Sequence, residues 1–142
     1  DFDKDNISNI WPTKLSKINN LNFVKFIGFK ENIINYIIKS SCIVLPSYRE
    51  GLSKSLLEAC SIGRPIVATD VPGCREIVKH NYNGFLCESK NFLDLANSLE
   101  KFIKLSDSDK LIFGRRSRII VEKNYDEKFV ISRYMKEIEK YV

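Results

Sequence analysis

Two short apolar runs with one helical pattern between them restrict the fold of this chain more than any other feature. CIVLP (42–46) and PIVAT (65–69) are nearly continuous in apolar residues. Such runs suit strands buried on both faces of a parallel sheet. Between them SKSLLEACSIG (53–63) reads as a helix that starts near Ser53 and stops at Gly63. The alternation continues along the chain. LNFVKFIG (21–28) predicts a strand closed by Gly28, and ENIINYIIKS (31–40) has helical apolar spacing. REIVKH (75–80) predicts a short helix, NG (83–84) a turn and FLC (85–87) a strand. NFLDLANSLEKFIKL (91–105) is an amphipathic helix with Asn91 as its cap. Residues 107–124 and 126–142 read as two more helices, and Leu15 and Ile18 suggest a short one in the polar first 21 residues. Strands alternating with helices predict an α/β fold, a parallel sheet with flanking helices.

The 142 residues are the usual size of a single domain, so 1–142 is read as one. The formal charge of +5 favours an anionic ligand or an anionic membrane face and is too weak to imply nucleic acid. RRSR (115–118) lacks interleaved aromatics and reads as a helix face, so no nucleic-acid partner is expected. Cys42, Cys60, Cys74 and Cys87 form no C-x-x-C pair, and His80 is not at ligand spacing from them. They read as buried, reduced thiols, and no metal is expected. No apolar run reaches the roughly 18 residues of a membrane helix.

The chemistry concentrates in PSYREGLSKSLLEACSIGRPIVATD (46–70). The loop after the strand at 43–45 lies at the carboxyl edge of the sheet, where open α/β sheets bind ligands. Gly51 allows close backbone approach or a positive φ. Beyond it, free amides at a helix start attract phosphate. Glu50 precedes the turn and accepts hydrogen bonds from hydroxyls. Glu58, eight positions on, lies about one and a half turns into the helix, where a carboxylate can accept both protons of a ribose diol. Spacing alone leaves a plainer alternative open, an ion pair of Glu58 with Lys54 on a solvated face.

The stretch SCIVLPSYREGLSKSLLEACSIGRPIVATDVPGCREIVKHNYNGFLC (41–87) resembles the carboxyl-terminal half of retaining glycosyltransferases of family 4, which have the GT-B fold. The resemblance rests on the LPS-x-x-EG loop, the two glutamates with seven residues between them, EA-x-x-x-G-x-PI-x-ATD, the PG-x-x-EIV loop and the NGFL turn. V-x-FIGF at 24–29 adds a sixth element. The pattern is similar to enzymes of bacterial capsule, O-antigen and glycoprotein-glycan assembly. It implies a Rossmann-like sheet and transfer of a sugar, with retention, from a nucleotide-diphosphate donor to an acceptor hydroxyl.

Residue by residue, the resemblance makes Glu50 the catalytic carboxylate beside the donor sugar and gives the ribose to Glu58. The amides of Gly51, Leu52 and Ser53 would sit near the sugar hydroxyls or the diphosphate. Gly28, Phe29 and Lys30 would line the base pocket, with Phe29 either stacking on the base or belonging to the core. Arg49 either touches phosphate or is surface, and Asp70 either contacts ligand or shapes the turn before Pro72 and Gly73. Glu76 and His80 read as surface. The resemblance implies no cofactor and no metal. It also implies that the basic pair of the family, the first strands of this half and the amino-terminal domain with its sugar or lipid-linked acceptor site lie outside these residues, so that the isolated chain does not catalyse. A cytoplasmic location, peripheral at the inner face of the membrane, follows as an expectation. The alternative is a relative that binds nucleotide sugar without catalysis, as a regulatory or scaffold subunit.

Overall fold

The structure, a computed structural model, describes residues 21–141. The chain divides into two compact units, residues 1–33 and 34–142. The helix expected around Leu15 and Ile18 lies outside the described residues. In the first unit a turn is closed by the Val24 amide, which donates to the Leu21 carbonyl at 3.0 Å. The strand expected over 21–28 does not form. A β-rich run becomes a strand only within a ladder, and the run at 21–28 is not part of the three-stranded sheet.

The second unit carries the regular structure. In order it contains α1 (Ile34–Lys39), β1 (Ile43–Leu45), α2 (Lys54–Ser61), β2 (Ile66–Thr69), α3 (Pro72–Ile77), β3 (Gly84–Cys87), α4 (Phe92–Lys104), α5 (Asp107–Asn124) and α6 (Glu127–Ile138). Strand and helix identities from 34 onward match the sequence reading, with shifted ends. α1 begins three residues later than expected. α3 covers Pro72–Ile77 instead of 75–80, because Pro72 occupies the first helical turn, where its missing N–H costs nothing. The Asn91 cap forms as expected, its side chain accepting from the Asp94 amide at 3.0 Å.

The three strands are parallel in the order β1-β2-β3. Val44, Val67 and Phe85 share one row of the register. Successive strand residues face opposite sides, and β2 shows it. Ile66 and Ala68 pack with Leu56, Ala59 and Cys60 of α2 and Cys74 and Ile77 of α3. Val67 turns to the other face, with Phe85, Phe102 of α4 and Phe113 of α5. Helices therefore cover both faces, and all four β2 residues are buried. This explains why PIVAT has no polar alternation.

Asn83 is more than the turn residue that the sequence suggested. It is fully buried. Its Oδ1 accepts from the Lys79 amide at 2.7 Å, and its Nδ2 donates to the Ile77 carbonyl and to Ser117 Oγ, each at 3.3 Å. It thereby joins the end of α3 to α5 at the start of β3.

Candidate functional site

Because the strands are parallel, β1, β2 and β3 all end at one edge, and three loops meet there: 46–53, 70–71 and 88–91. The first is held by its neighbours. Thr69 Oγ1 at the end of β2 donates to the Ser47 carbonyl. Ser47 Oγ donates to Glu50 Oε1 at 2.6 Å, which fixes one carboxylate oxygen and leaves Oε2 without a partner among the described residues. From the α3 side, Gly73 lies directly against the loop. A Cβ there would fall 1.5 Å from the Gly51 carbonyl oxygen and 2.7 Å from that of Glu50. Glycine is the one residue that permits this contact.

The loop then enters α2. Ser53 is its N-cap in an extended conformation, but its side chain caps no amide and instead pairs with Ser55 Oγ at 3.1 Å. The amides of Lys54, Ser55 and Leu56 have no acceptor among the described residues. The mouth of α2 is thus a set of free N–H groups at the positive end of a helix.

Gly51 and Leu52 are exposed, Ser53 is buried and Glu50 is half-buried. Gly51 does not adopt a positive φ, and a Cβ on it would meet open space. Of the two reasons expected for this glycine, positive φ is therefore excluded. The close approach within the protein is made by Gly73 against it. Glu58, with its side chain 28% exposed, stands 3.8 Å from Lys54 Nζ, whose side chain is 91% exposed. That is a loose surface pair. Gly28, Phe29 and Lys30 lie in the first unit and are exposed, with Gly28 at φ +63. An exposed Phe29 is not a core residue.

Asp70 is exposed and accepts from Arg75 Nε at 2.6 Å, while Arg75 Nη2 donates to its carbonyl at 3.2 Å. It braces the start of α3. Arg49, Glu76 and His80 are exposed. His80 is not idle: its Nδ1 accepts from the Leu86 amide at 3.0 Å, which places its proton on Nε2 when neutral. Burial pushes the Cys74 thiol up, and the nearby Glu50 carboxylate adds to the effect. Two residues that build this site, Ser47 and Gly73, were given no role by the sequence. The LPS-x-x-EG and PG-x-x-EIV motifs contain both, but only the fold shows that the second loop locks the first.

Beside this loop the same edge opens into a cleft of about 270 Å³ lined by Tyr48, Thr69, Glu88, Lys90 and Phe92, among others. Lys90 Nζ stands 5.7 Å from the centre of the Tyr48 ring, within cation–π range. Among the described residues no group of three or more His, Cys, Asp or Glu is arranged to hold a metal, and no helix is long and apolar enough to cross a membrane.

Over most of its length the chain is similar to known proteins. The family described as "Glycosyl transferases group 1" matches residues 12–120. The N,N'-diacetylbacillosaminyl-diphospho-undecaprenol alpha-1,3-N-acetylgalactosaminyltransferase of Campylobacter jejuni is 34% identical over 120 residues, covering 80% of this chain and 30% of that protein. The N-acetyl-alpha-D-glucosaminyl L-malate synthase of Bacillus anthracis is 28% identical over 125 residues, covering 86% of this chain and 32% of that protein. The crystal structure of Anabaena HepE in complex with UDP and glucose superposes with a TM-score of 0.78 at 22% identity, covering 90% of this chain and 35% of that one. The chain thus spans about a third of the length of each.

Proposed function

The chain belongs to the group 1 glycosyltransferase family, and we propose that it forms most of the donor-binding half of a retaining, family 4 enzyme. Its parallel sheet with flanking helices is similar to that of GT-B glycosyltransferases. The full protein would transfer a sugar from a nucleotide-diphosphate donor to an acceptor hydroxyl. The Campylobacter relative is named for a lipid-linked diphosphate acceptor, and HepE is described with UDP. By analogy the proposed setting is bacterial capsule, lipopolysaccharide or glycan assembly at the cytoplasmic face of the membrane.

The observation that carries the reading is the uncapped mouth of α2 with Glu50 pinned beside it. The free amides at 54–56 offer hydrogen bonds and a helix dipole to the diphosphate, which must leave with its charge stabilised. The open space at Gly51 admits the sugar next to the backbone. Glu50 Oε2 accepts from a sugar hydroxyl while Ser47 holds Oε1, so the carboxylate is oriented before the donor arrives. Glu58 takes the ribose diol, and only a loose contact with Lys54 competes. The family resemblance gives the base to Gly28, Phe29 and Lys30. No metal or cofactor enters the proposal.

The test is a thermal-shift screen of the full-length protein against UDP- and GDP-sugars. One donor should raise the melting temperature, and Glu58→Ala should abolish most of that rise. Turnover in Glu50→Gln should fall by about 10²–10³, as for loss of an oriented group at a transition state. Donor binding and turnover unchanged in both variants would sink the reading. Clear nucleotide-sugar binding without transfer or donor hydrolysis would favour a non-catalytic subunit.

A further inference from the structure

A second concave site lies at the opposite end of α2. The helix ends at Ser61, and Gly63 leaves it with φ +73. Here α5 packs against the departing chain: a Cβ on Gly114 would fall 2.2 Å from the Gly63 carbonyl oxygen. Beside this contact opens a cleft of about 520 Å³ whose charged lining is Arg64, Lys110, Arg115, Arg118 and Asp107. Four cations face one carboxylate.

Internal partners leave several of these donors unused. Arg118 donates to the Ser61 carbonyl and, through Nε, to Glu122 at 2.6 Å. Arg64 Nη2 donates to the Ile38 carbonyl at 2.6 Å. The bonds to Ser61 and Ile38 are explained by carbonyls at helix carboxyl ends, which attract cations, and the bond to Glu122 by an i,i+4 ion pair on α5. The rest is not. Arg64 Nε is buried with no hydrogen-bond partner among the described residues, which is costly for a guanidinium. Arg115 makes no hydrogen bond or ion pair among the described residues. Lys110 Nζ lies 3.6 Å from Asp107, whose side chain is fully exposed, so that pair opens easily.

We propose that this cleft is an anion site that takes a phosphate group, separate from the donor site at the other end of α2. The Arg115 fork closes over a phosphate in the bidentate geometry that guanidinium offers, while Arg64 and Lys110 add charge from the walls of the cleft. The phosphate is supplied either by a soluble ester or by a lipid headgroup; the recognition chemistry is the same.

The experiment follows backbone amides of the isotope-labelled full-length protein during titration with pyrophosphate at low ionic strength, where such contacts are strongest. Amides at 63–64 and 110–118 should shift and saturate. Binding at the donor site moves those at 51–56 instead, so the two sites are read separately. Arg115→Gln, which breaks no internal bond, should weaken the response at 63–64 and 110–118 by about tenfold, the worth of one charge-assisted hydrogen bond, with an unchanged melting temperature. Co-sedimentation with phosphatidylglycerol vesicles that pyrophosphate competes and Arg115→Gln diminishes would assign the site to a headgroup. Amide shifts without co-sedimentation would assign it to a soluble phosphate. No response at 63–64 and 110–118 with either probe, or a response indifferent to Arg115→Gln, overturns the proposal.

Discussion

Gly73 is seated so tightly against Gly51 that a Cβ on the first would lie 1.5 Å from the carbonyl oxygen of the second. Two loops at the ends of different strands are thereby made one surface, and the position of Glu50 depends on a residue 23 positions away in sequence. Gly73→Ala must displace backbone, since no side chain at the contact can yield. Overpacking of this kind costs about 1–3 kcal/mol. Because the displaced segment is the Glu50–Gly51 loop, donor affinity and turnover of the full-length protein should fall together. Chemical denaturation and donor titration check both; unaltered turnover in the Gly73→Ala variant would show that this contact does not place Glu50.

Lys54 and Glu58 separate a salt-bridge role from a ligand role. Their 3.8 Å pair, with the Lys54 side chain 91% exposed, is an i,i+4 contact in the weaker Lys-first order, worth about 0.2–0.5 kcal/mol at most. If the pair were all that Glu58 does, Lys54→Ala and Glu58→Ala would be equally mild. The ribose assignment predicts asymmetry. Lys54→Ala should leave donor affinity unchanged or slightly improved, whereas Glu58→Ala should weaken it about tenfold or more, as for loss of hydrogen bonds to a charged group. Calorimetric titration of both variants decides it.

The parts of this fold that local pattern determines were legible in the sequence. β2 is fully buried, as its run IVAT suits; α5 spans 107–124, as its composition suggests. Elements that depend on a distant partner were not. Residues 21–28 have strand propensity but no ladder, and propensity yields to tertiary context. The Glu50 loop was visible as a loop at the carboxyl edge of the sheet, but its bracing by Ser47, Thr69 and Gly73 depends on β2 and α3 lying alongside. Asn83 read as half of an NG turn because turn chemistry and buried hydrogen bonding favour the same residue. Nothing local distinguishes the two.

Asn83→Ala should therefore cost far more than a turn substitution. It removes the acceptor of the Lys79 amide and the donor to Ile77 and Ser117 in a place without exposure. Leaving a buried polar group unsatisfied costs about 1–3 kcal/mol, and two or more groups are orphaned here. A loss of roughly 2–4 kcal/mol in urea denaturation is expected. Asn83→Asp keeps the acceptor and loses the donor, adding a buried charge at neutral pH, so it should be no milder. A loss below about 0.5 kcal/mol for Asn83→Ala, the range of an ordinary surface change, would contradict the buried bracket.

The thiols predict how stability responds to alkali. Burial raises Cys60 from an ordinary 9.0 to about 11, and Cys42 from 9.0 to about 12. In the unfolded chain both ionise near 9, so between 9 and these raised values the native state holds more protons than the unfolded one. Stability must then fall as pH rises through that window and be unaffected by these groups below it. The denaturation midpoint should decline from about pH 9 upward. Cys60→Ala should flatten part of the decline, because it removes one of the thiols that burial raises. At about pH 7–8 neither thiol should react readily with a thiolate-specific reagent in the native protein, while both should react in urea. Rapid native labelling of Cys60 at about pH 8 would show that its burial against α5 is not maintained in solution.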